Sequence, residues 1–360
     1  MKFLIIFLVL AQAVASFATT RYVAKDGSAP YTEVQNAINA SAAGDTILVA
    51  PSATTYNGFN VDRRLVLFGA SYDQTAGKAT KIAGIVEIFN AGDSTELISF
   101  WLRFSAGSTY QDSVGAIMRL RSGATGVRVS RCLIENTNGS SSQWKYAIHL
   151  NIGATAIIDA CVIWDSHSNG GNEGIYFVAG SPAASATITN CLFSHWTSYA
   201  IEVRNSNTVC HVRHCVFDCS NGVSSSSTFL TAQNCVLAST GTFLYGSGLV
   251  TYCATGGTAP AGEGNFTWTG TPFVNRVANA PLSSDYHLSS GSMLRDVGNP
   301  ISPPDLDGSR ADIGIYGGQT PFIAWGIPPI PFVLELEVPV TVPQNGVLHI
   351  GARGRIGPGN

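Results

Sequence analysis

Between residues 127 and 255 one short arrangement of apolar and polar positions keeps returning: VRVSRCLIEN, IIDACVIWDS, TITNCLFSHW, HVRHCVFDCS and LTAQNCVLAS. Each copy carries an apolar or small residue three before a cysteine (Val129, Ile158, Ile188, Val212, Ala232) and an apolar residue two after it (Ile134, Ile163, Phe193, Phe217, Leu237). The cysteines fall at 132, 161, 191, 215 and 235, in steps of 29, 30, 24 and 20 residues, and Cys253 marks a weaker sixth copy. Self-similarity at roughly 20–50 residues is the signature of a stacked repeat. A second short strand sits between copies: Met118–Leu120, Ala147–Leu150, Gly174–Phe177, Ala200–Val203 and Phe243–Tyr245. No helical period interrupts these segments. Propeller blades would need antiparallel hairpins and a period nearer 40–50 residues. The shorter steps predict a solenoid of parallel coils, in which each full coil is itself the crossover between parallel strands.

The flanks read as a cap and a closing segment. Val34, Ala37 and Ile38 predict an amphipathic helix opened by a capping box of Thr32 and Gln35, followed by a strand over Thr46–Val49. A solenoid end exposes its core, and such a helix would cover it. Further strands are expected at Tyr22–Ala24, Phe59–Val61, Leu65–Phe68, Lys81–Ile88 and Leu97–Phe104. After residue 255 the repeat stops and Gly, Pro and Asn rise. The tail holds one alternating strand, Val333–Val338, and another near Val347–Ile350. The expected organisation is a signal peptide over 1–15, a β-helix over 16–255, C-terminal coils and a closing segment over 256–320, and a Pro-rich tail over 321–360.

Composition narrows the functional classes. A net charge of −3 with only 12% charged residues gives no electrostatic case for nucleic acid or an anionic membrane. Lys2, the apolar run Phe3–Leu10 and Ala13-Val14-Ala15 have the form of a secretory signal peptide. No later apolar run of about 20 residues predicts a membrane span. A secreted or extracellular monomer is expected. Eight cysteines in an exported chain would ordinarily suggest disulfides. Thiols stacked at one repeat position point the same way and do not readily reach disulfide torsions. A buried ladder of free thiols is therefore expected, with Cys210 and Cys219 the candidate exceptions. Cys210, His211, His214 and Cys215 do not make a convincing zinc set, because alternation directs both histidines away from the Val212 face or into the turn.

The opening YVAKDGS…YTEVQNAINASAAGDTILVAP resembles the start of pectin-lyase-like right-handed parallel β-helix proteins. The ATITNCLFSH repeats resemble their coils, with Cys where many members carry a stacking Asn. Residues 264–318 resemble the ending of secreted β-helix proteins of the choice-of-anchor Q type. The matching elements are Pro272-Phe273-Val274-Asn275, Asp285-Tyr286-His287-Leu288, Gly291-Ser292, Asp296 with Gly298, Asp305 to Gly308, and Arg310 with Asp312-Ile313-Gly314. The ending departs from that pattern at Tyr316-Gly317-Gly318, where an acidic residue commonly follows the aromatic. The resemblance, over roughly residues 21–320, implies an all-β, single-stranded right-handed parallel β-helix of about nine to eleven coils with an N-terminal capping helix. It implies little about activity. The esterase motifs Asp-Phe-Ile-Phe-Gly and Gly-Arg-Pro-Trp are absent, as are the polygalacturonase motifs Asn-Thr-Asp, Asp-Asp and Gly-His-Gly. No Asp cluster with a nearby Arg-x-x-Pro-x-x-Arg run of a calcium-dependent lyase is present.

Candidate chemistry follows from register. With Ile148 and Leu150, Ile175 and Phe177, and Ile201 and Val203 facing inward, Arg119, His149, Tyr176 and Glu202 should form one outward column. Arg204 shares its side, and nearby loops and strand starts supply Asp165, His167, Glu173 and His195. Glu202, His149 and Asp165 are the catalytic candidates, as acid and base across a glycosidic bond. Arg119, Tyr176, Arg204, His167, Glu173 and His195 are the binding candidates. The same column also fits a ladder of solvated or paired side chains, and Asp165 and Glu173 fit turn chemistry. Asp305, Asp307 and Asp312 could offer oxygen ligands to calcium, without EF-hand spacing. No other cofactor is expected. The leading expectation is a secreted polysaccharide- or surface-glycan-binding protein, beside a lyase or glycoside hydrolase and a purely structural surface protein.

Overall fold

The computed structural model describes residues 18–104, 115–137, 146–167, 173–328, 331–337, 347 and 351–355. The expected leader over 1–15 and the last residues, 356–360, lie outside them. The chain winds through long parallel sheets. One face has ten strands in the order Thr20–Val23, Thr46–Val49, Val66–Phe68, Glu96–Ile98, Val127–Ser130, Thr155–Asp159, Ser185–Thr189, Val209–Arg213, Leu230–Gln233 and Leu249–Thr251. A second face runs through Trp101–Arg103, Leu133–Asn136, Val162–Asp165, Leu192–Ser194, Val216–Asp218, Val236–Leu237 and Ala254–Thr255. A third runs through Ala116–Leu120, Tyr146–Leu150, Glu173–Phe177, Tyr199–Val203, Val223–Ser225 and Leu244–Gly246.

The second and third faces join at one long strand, Lys81–Ile88. Its first residues pair with Trp101–Arg103 and its last with Ala116–Leu120. Gly84 sits at the join with φ +134°, and a Cβ there would lie 2.9 Å from the Gly58 nitrogen, so the bend and the close approach both call for glycine. Each coil in the middle of the array therefore has three strands, where the sequence pattern calls for at least two.

The recurring cysteine phrase is two strands and a corner. The residue before each cysteine is left-handed: Arg131 (φ 54°), Ala160 (50°), Asn190 (49°), His214 (49°), Asn234 (54°) and Tyr252 (51°). Ser99, at φ 66°, makes the same break one coil earlier and splits the strand expected over Leu97–Phe104. Behind the bend each thiol points into the core and lies 3.2–3.3 Å from the carbonyl two residues earlier, of Ser130, Asp159, Thr189, Arg213, Gln233 and Thr251 in turn. A small hydrophobe with a weak S–H donor suits this place, filling the corner and satisfying a buried carbonyl. All eight cysteines are free and buried, Cys210 and Cys219 included.

The N-terminal helix spans Val34–Asn39 and buries Val34, Ala37 and Ile38. Its expected capping box does not form. Glu33 takes the N-cap position without a side-chain cap and instead binds Lys25 Nζ and the Asn57 N–H. Gln35 Oε1 accepts the Asn60 N–H at 2.7 Å. These side chains tie the helix to the first coils rather than to its own end, and the helix stays at six residues.

Residues after 255 add only a short strand, Phe266–Thr267, to the array. Beyond it the chain reverses and runs back as a strap along the second face. Its antiparallel pair, Phe273–Asn275 with Asp285–Leu288, lies at Asp218, which accepts from Arg276 Nε at 2.9 Å and Tyr286 Oη at 2.6 Å. Asn234 Oδ1 then accepts the Asn299 N–H at 2.7 Å, and Asn190 Nδ2 donates to the carbonyls of Ile315 (2.8 Å) and Gly317 (3.0 Å). Finally the Trp325 carbonyl accepts the Tyr72 N–H, and Arg131 Nη1 reaches the Ile327 carbonyl at 3.0 Å. The reason is apolar. The outward side of the second face carries Trp101, Leu133, Val162, Leu192, Val216, Val236 and Ala254, and the strap lays Phe273, Leu294, Ile313, Ile315 and Phe322 over them as a second core. In the tail, Phe332–Glu337 pairs antiparallel with Gly351–Arg355; residues 338 and 348–350 of the two strands expected there lie outside the described residues.

Two outcomes test this account. Thiol titration of the native protein should label none of the eight cysteines at an appreciable rate, and all eight in denaturant. Asn190→Ala, which keeps a residue type the same bend accepts at Ala160 but removes two bonds to the strap, should cost about 2 kcal/mol in urea unfolding.

Candidate functional site

The third face carries the expected column in register. Glu87 pairs with Arg119, Arg119 with His149, His149 with Tyr176, Tyr176 with Glu202, Glu202 with Ser224 and Ser224 with Tyr245. Beside it runs a second outward row, Ala116, Tyr146, Glu173 and Tyr199. Two rows arise because consecutive residues, Ala147 with Ile148 and Ala200 with Ile201, both belong to the core. This double inward step brings Tyr146 and His149 to the same side. At the matching position Gly174 has no room for a side chain: a Cβ would lie 2.6 Å from the Ala200 carbonyl and 3.0 Å from the Phe193 ring.

The rings of the two rows pack together. Tyr146 stacks on Tyr176 with centroids 4.4 Å apart, His149 stacks on Tyr176 at 5.5 Å, and Tyr146 meets His149 at 5.7 Å. Further along, Tyr199 lies 6.3 Å from Tyr245. Charged groups flank the stack. Glu87 Oε1 holds Arg119 Nη1 at 3.2 Å and Arg121 Nη2 at 2.7 Å. Arg204 Nε holds Glu202 Oε1 at 2.6 Å, whereas Glu202 Oε2 is buried and finds no partner among the described residues. Burial raises the phenol pKa of Tyr146, with Glu173 and Glu202 adding to it. Burial also raises that of Tyr176, where Arg204 opposes and Glu202 and Glu173 assist.

The column differs from expectation in exposure. Arg119 and His149 are 4% exposed, Glu202 5% and Glu173 9%, so they are not solvated side chains on an open sheet. Coils about 4.8 Å apart let neighbouring rings and long side chains cover one another. Tyr146 and Tyr176 lie against His149, and Arg204, itself exposed, lies against Glu202. The accessible parts are the half-buried Tyr146, Tyr176 and Tyr199, with exposed Tyr245 and Arg204.

Asp165, His167 and His195 form a different group. Asp165 is fully buried at the end of the second-face strand Val162–Asp165. Its Oδ1 accepts the His167 N–H at 2.9 Å and its Oδ2 accepts Asn136 Nδ2 at 3.3 Å. His195 Nδ1 lies 2.9 Å from the Asp165 carbonyl oxygen. The structure thus ties Asp165 to the corner between second and third faces rather than to Glu202. Burial pushes its carboxyl up to about 6, against the His167 N–H and the nearby histidines.

The calcium candidates do not gather as ligands. Asp305 accepts the N–H groups of Asp312 and Gly318, Asp307 accepts Ser309, and Asp312 accepts the Asp296 N–H at 2.7 Å. Among the described residues no group of three or more His, Cys, Asp or Glu is placed to hold a metal. These carboxylates fold the strap by accepting backbone N–H groups. Arg310 donates to the carbonyls of Gly298 and Val297, not to an Asp. Sequence reasoning missed Tyr146, Tyr199, Tyr245, Glu87 and Arg121. Simple alternation places Tyr146 with Ile148 and Leu150, and only the double inward step turns it out.

Comparison with protein families agrees with the architecture. The family described as right handed beta helix region matches residues 88–242. A crystal structure of the pectate lyase Pel9A superposes with a TM-score of 0.45 at 14% sequence identity, covering 84% of this chain and 97% of that one. No curated protein matches the chain. The parallel sheets and the matched region together define a β-helix protein.

The Asp165 carboxyl gives a pH-dependent outcome. Its folded pKa of about 6 stands above the ordinary 3.8, so the folded state holds an extra proton between those values. Its contribution should make the protein less stable as pH rises from below 4 through about 6. Denaturant unfolding of wild type and Asp165→Asn across that range should show this component in the wild type and its absence in the variant.

Proposed function

We propose that the protein is an exported β-helix that binds an extracellular polysaccharide or cell-surface glycan along the outward side of its third face. The observation that carries this reading is the stack of Tyr146, Tyr176 and His149 flanked by the Glu202–Arg204 pair. Aromatic faces offer the apolar surface that the C–H face of a pyranose packs against, and their polar tips remain free to hydrogen bond. Carboxylates and guanidinium groups beside them accept from and donate to hydroxyls. Tyr199 and Tyr245 extend the surface along the coil axis, the direction in which a linear glycan would repeat. The signal-peptide form of residues 1–15 and the choice-of-anchor Q resemblance of 264–318 support an extracellular setting.

One observation favours a second reading, a polysaccharide lyase or glycoside hydrolase. Glu202 Oε2 is a buried carboxylate oxygen with no partner among the described residues, set between a guanidinium and an aromatic ring. Such an oxygen could take or give a proton at a glycosidic substrate.

A panel of acidic and neutral glycans separates the readings. Calorimetric binding without new reducing ends or unsaturated products supports the first. Tyr176→Ala should then weaken binding about tenfold, a change of roughly 1.4 kcal/mol. Turnover abolished by Glu202→Gln would replace it with the second. No binding across the panel would leave a structural surface protein and sink both.

A further inference from the structure

The strap crosses two of the left-handed corner residues, His214 and Asn234, and both side chains are buried. The Asn299 N–H donates to Asn234 Oδ1 at 2.7 Å. A backbone N–H can only donate, so this bond fixes which way the Asn234 amide points. The other end of the amide, Nδ2, faces His214 Nε2 at 3.2 Å and Ser302 Oγ at 3.4 Å. The Ser302 hydroxyl gives its own proton to Gln233 Oε1 at 3.1 Å, which agrees with that orientation. An amide nitrogen donates, so His214 Nε2 accepts, and the neutral ring carries its proton on Nδ1. Nδ1 is sealed under the strap, where a Cβ at Gly317 would lie 2.7 Å from it. A Cβ at Gly318 would lie 3.1 Å from Nε2.

A second proton on this ring has to go to Nε2. There it meets the hydrogens of Asn234 Nδ2, donor against donor. Turning the amide to offer Oδ1 gives up the bond to the Asn299 N–H. The groups around the ring do not remove the conflict. Asp305 and the Asp312 carbonyl on the strap and Cys235 in the next coil favour a charged ring, and Arg213 beside it opposes one. The Asp312 carboxyl is turned to the Asp296 N–H at 2.7 Å. Burial outweighs the favourable groups and holds the imidazole below its ordinary range.

We propose that His214 and Asn234 form an acid-sensitive latch, in which a proton at His214 Nε2 releases residues 298–318 of the strap from the second face. Release uncovers Val216 and Val236, which the strap covers there. Because the folded pKa lies below the ordinary 6.5, the closed strap binds fewer protons than the open one. The latch is therefore fully engaged above about 6.5 and is lost as pH falls below it. No residue of the third face takes part, so the latch is independent of the glycan reading.

The test is hydrogen exchange of the full chain at about pH 7.5 and about pH 5.5, read by mass spectrometry and corrected for the chemical exchange rate. In the wild type, protection of residues 298–318 should fall by up to about tenfold per pH unit below 6.5, while the strands of the coils stay protected. His214→Asn, a residue that the same corner accepts at Asn190 and Asn234, should show no such fall, although Asp305 and Asp312 remain in place. Asn234→Asp keeps an acceptor for the Asn299 N–H and meets the protonated ring with an acceptor instead of a donor, so its strap should stay protected at the lower pH. The proposal is overturned by equal strap protection in the wild type at both pH values, by an equal fall in His214→Asn, or by an equal fall in Asn234→Asp.

Discussion

Everything in this molecule rests on one repeated backbone event, a left-handed residue followed by an inward thiol. The six bends from Arg131 to Tyr252 turn the chain from the first face to the second at the same place in successive coils. A left-handed residue is costly for most side chains. It persists here because neighbouring coils hydrogen bond on both sides and because the thiol behind it occupies the inside of the corner. Fixing that corner fixes the register of the second face, and through it the third. The column Arg119, His149, Tyr176 and Glu202 is aligned because the corners are aligned.

The periodic part of this was legible in the sequence. The spacing of the cysteines and their apolar flanks gave the stacking, the inward side and the outward column, because each depends only on a period and on alternation. The corner itself was harder to read. Arg131, Ala160, Asn190, His214, Asn234 and Tyr252 share a backbone conformation but no common chemistry, and only the two asparagines and His214 belong to types enriched in it. The second row of the candidate site was hidden for a related reason. Ala147 and Ile148 both turn inward, which interrupts the alternation that would otherwise have placed Tyr146 in the core.

The closing segment shows where pattern reading stops. Residues 266–328 have no period, and their partners are far away in sequence: Asp218 with Tyr286, Asn234 with Asn299, Asn190 with Ile315, Tyr72 with Trp325. Asp305, Asp307 and Asp312 look like cation ligands in sequence and serve instead as acceptors for turn N–H groups. The hint that the second face needs a cover was present in its strands. Leu133 with Ile134, Val162 with Ile163 and Leu192 with Phe193 are apolar on both sides, as in a sheet buried on both faces.

The reversed course of the strap bears on how the protein is made. Coils can stack as they emerge during synthesis, each on the one before, since each mainly touches its neighbours. The outer apolar side of the second face cannot be finished that way, because Trp325 must travel back to Tyr72, 253 residues upstream. Until the strap that carries Trp325 is available, a stripe running from Trp101 to Ala254 stays bare and adhesive. The array can assemble progressively, but its sealing waits for the strap.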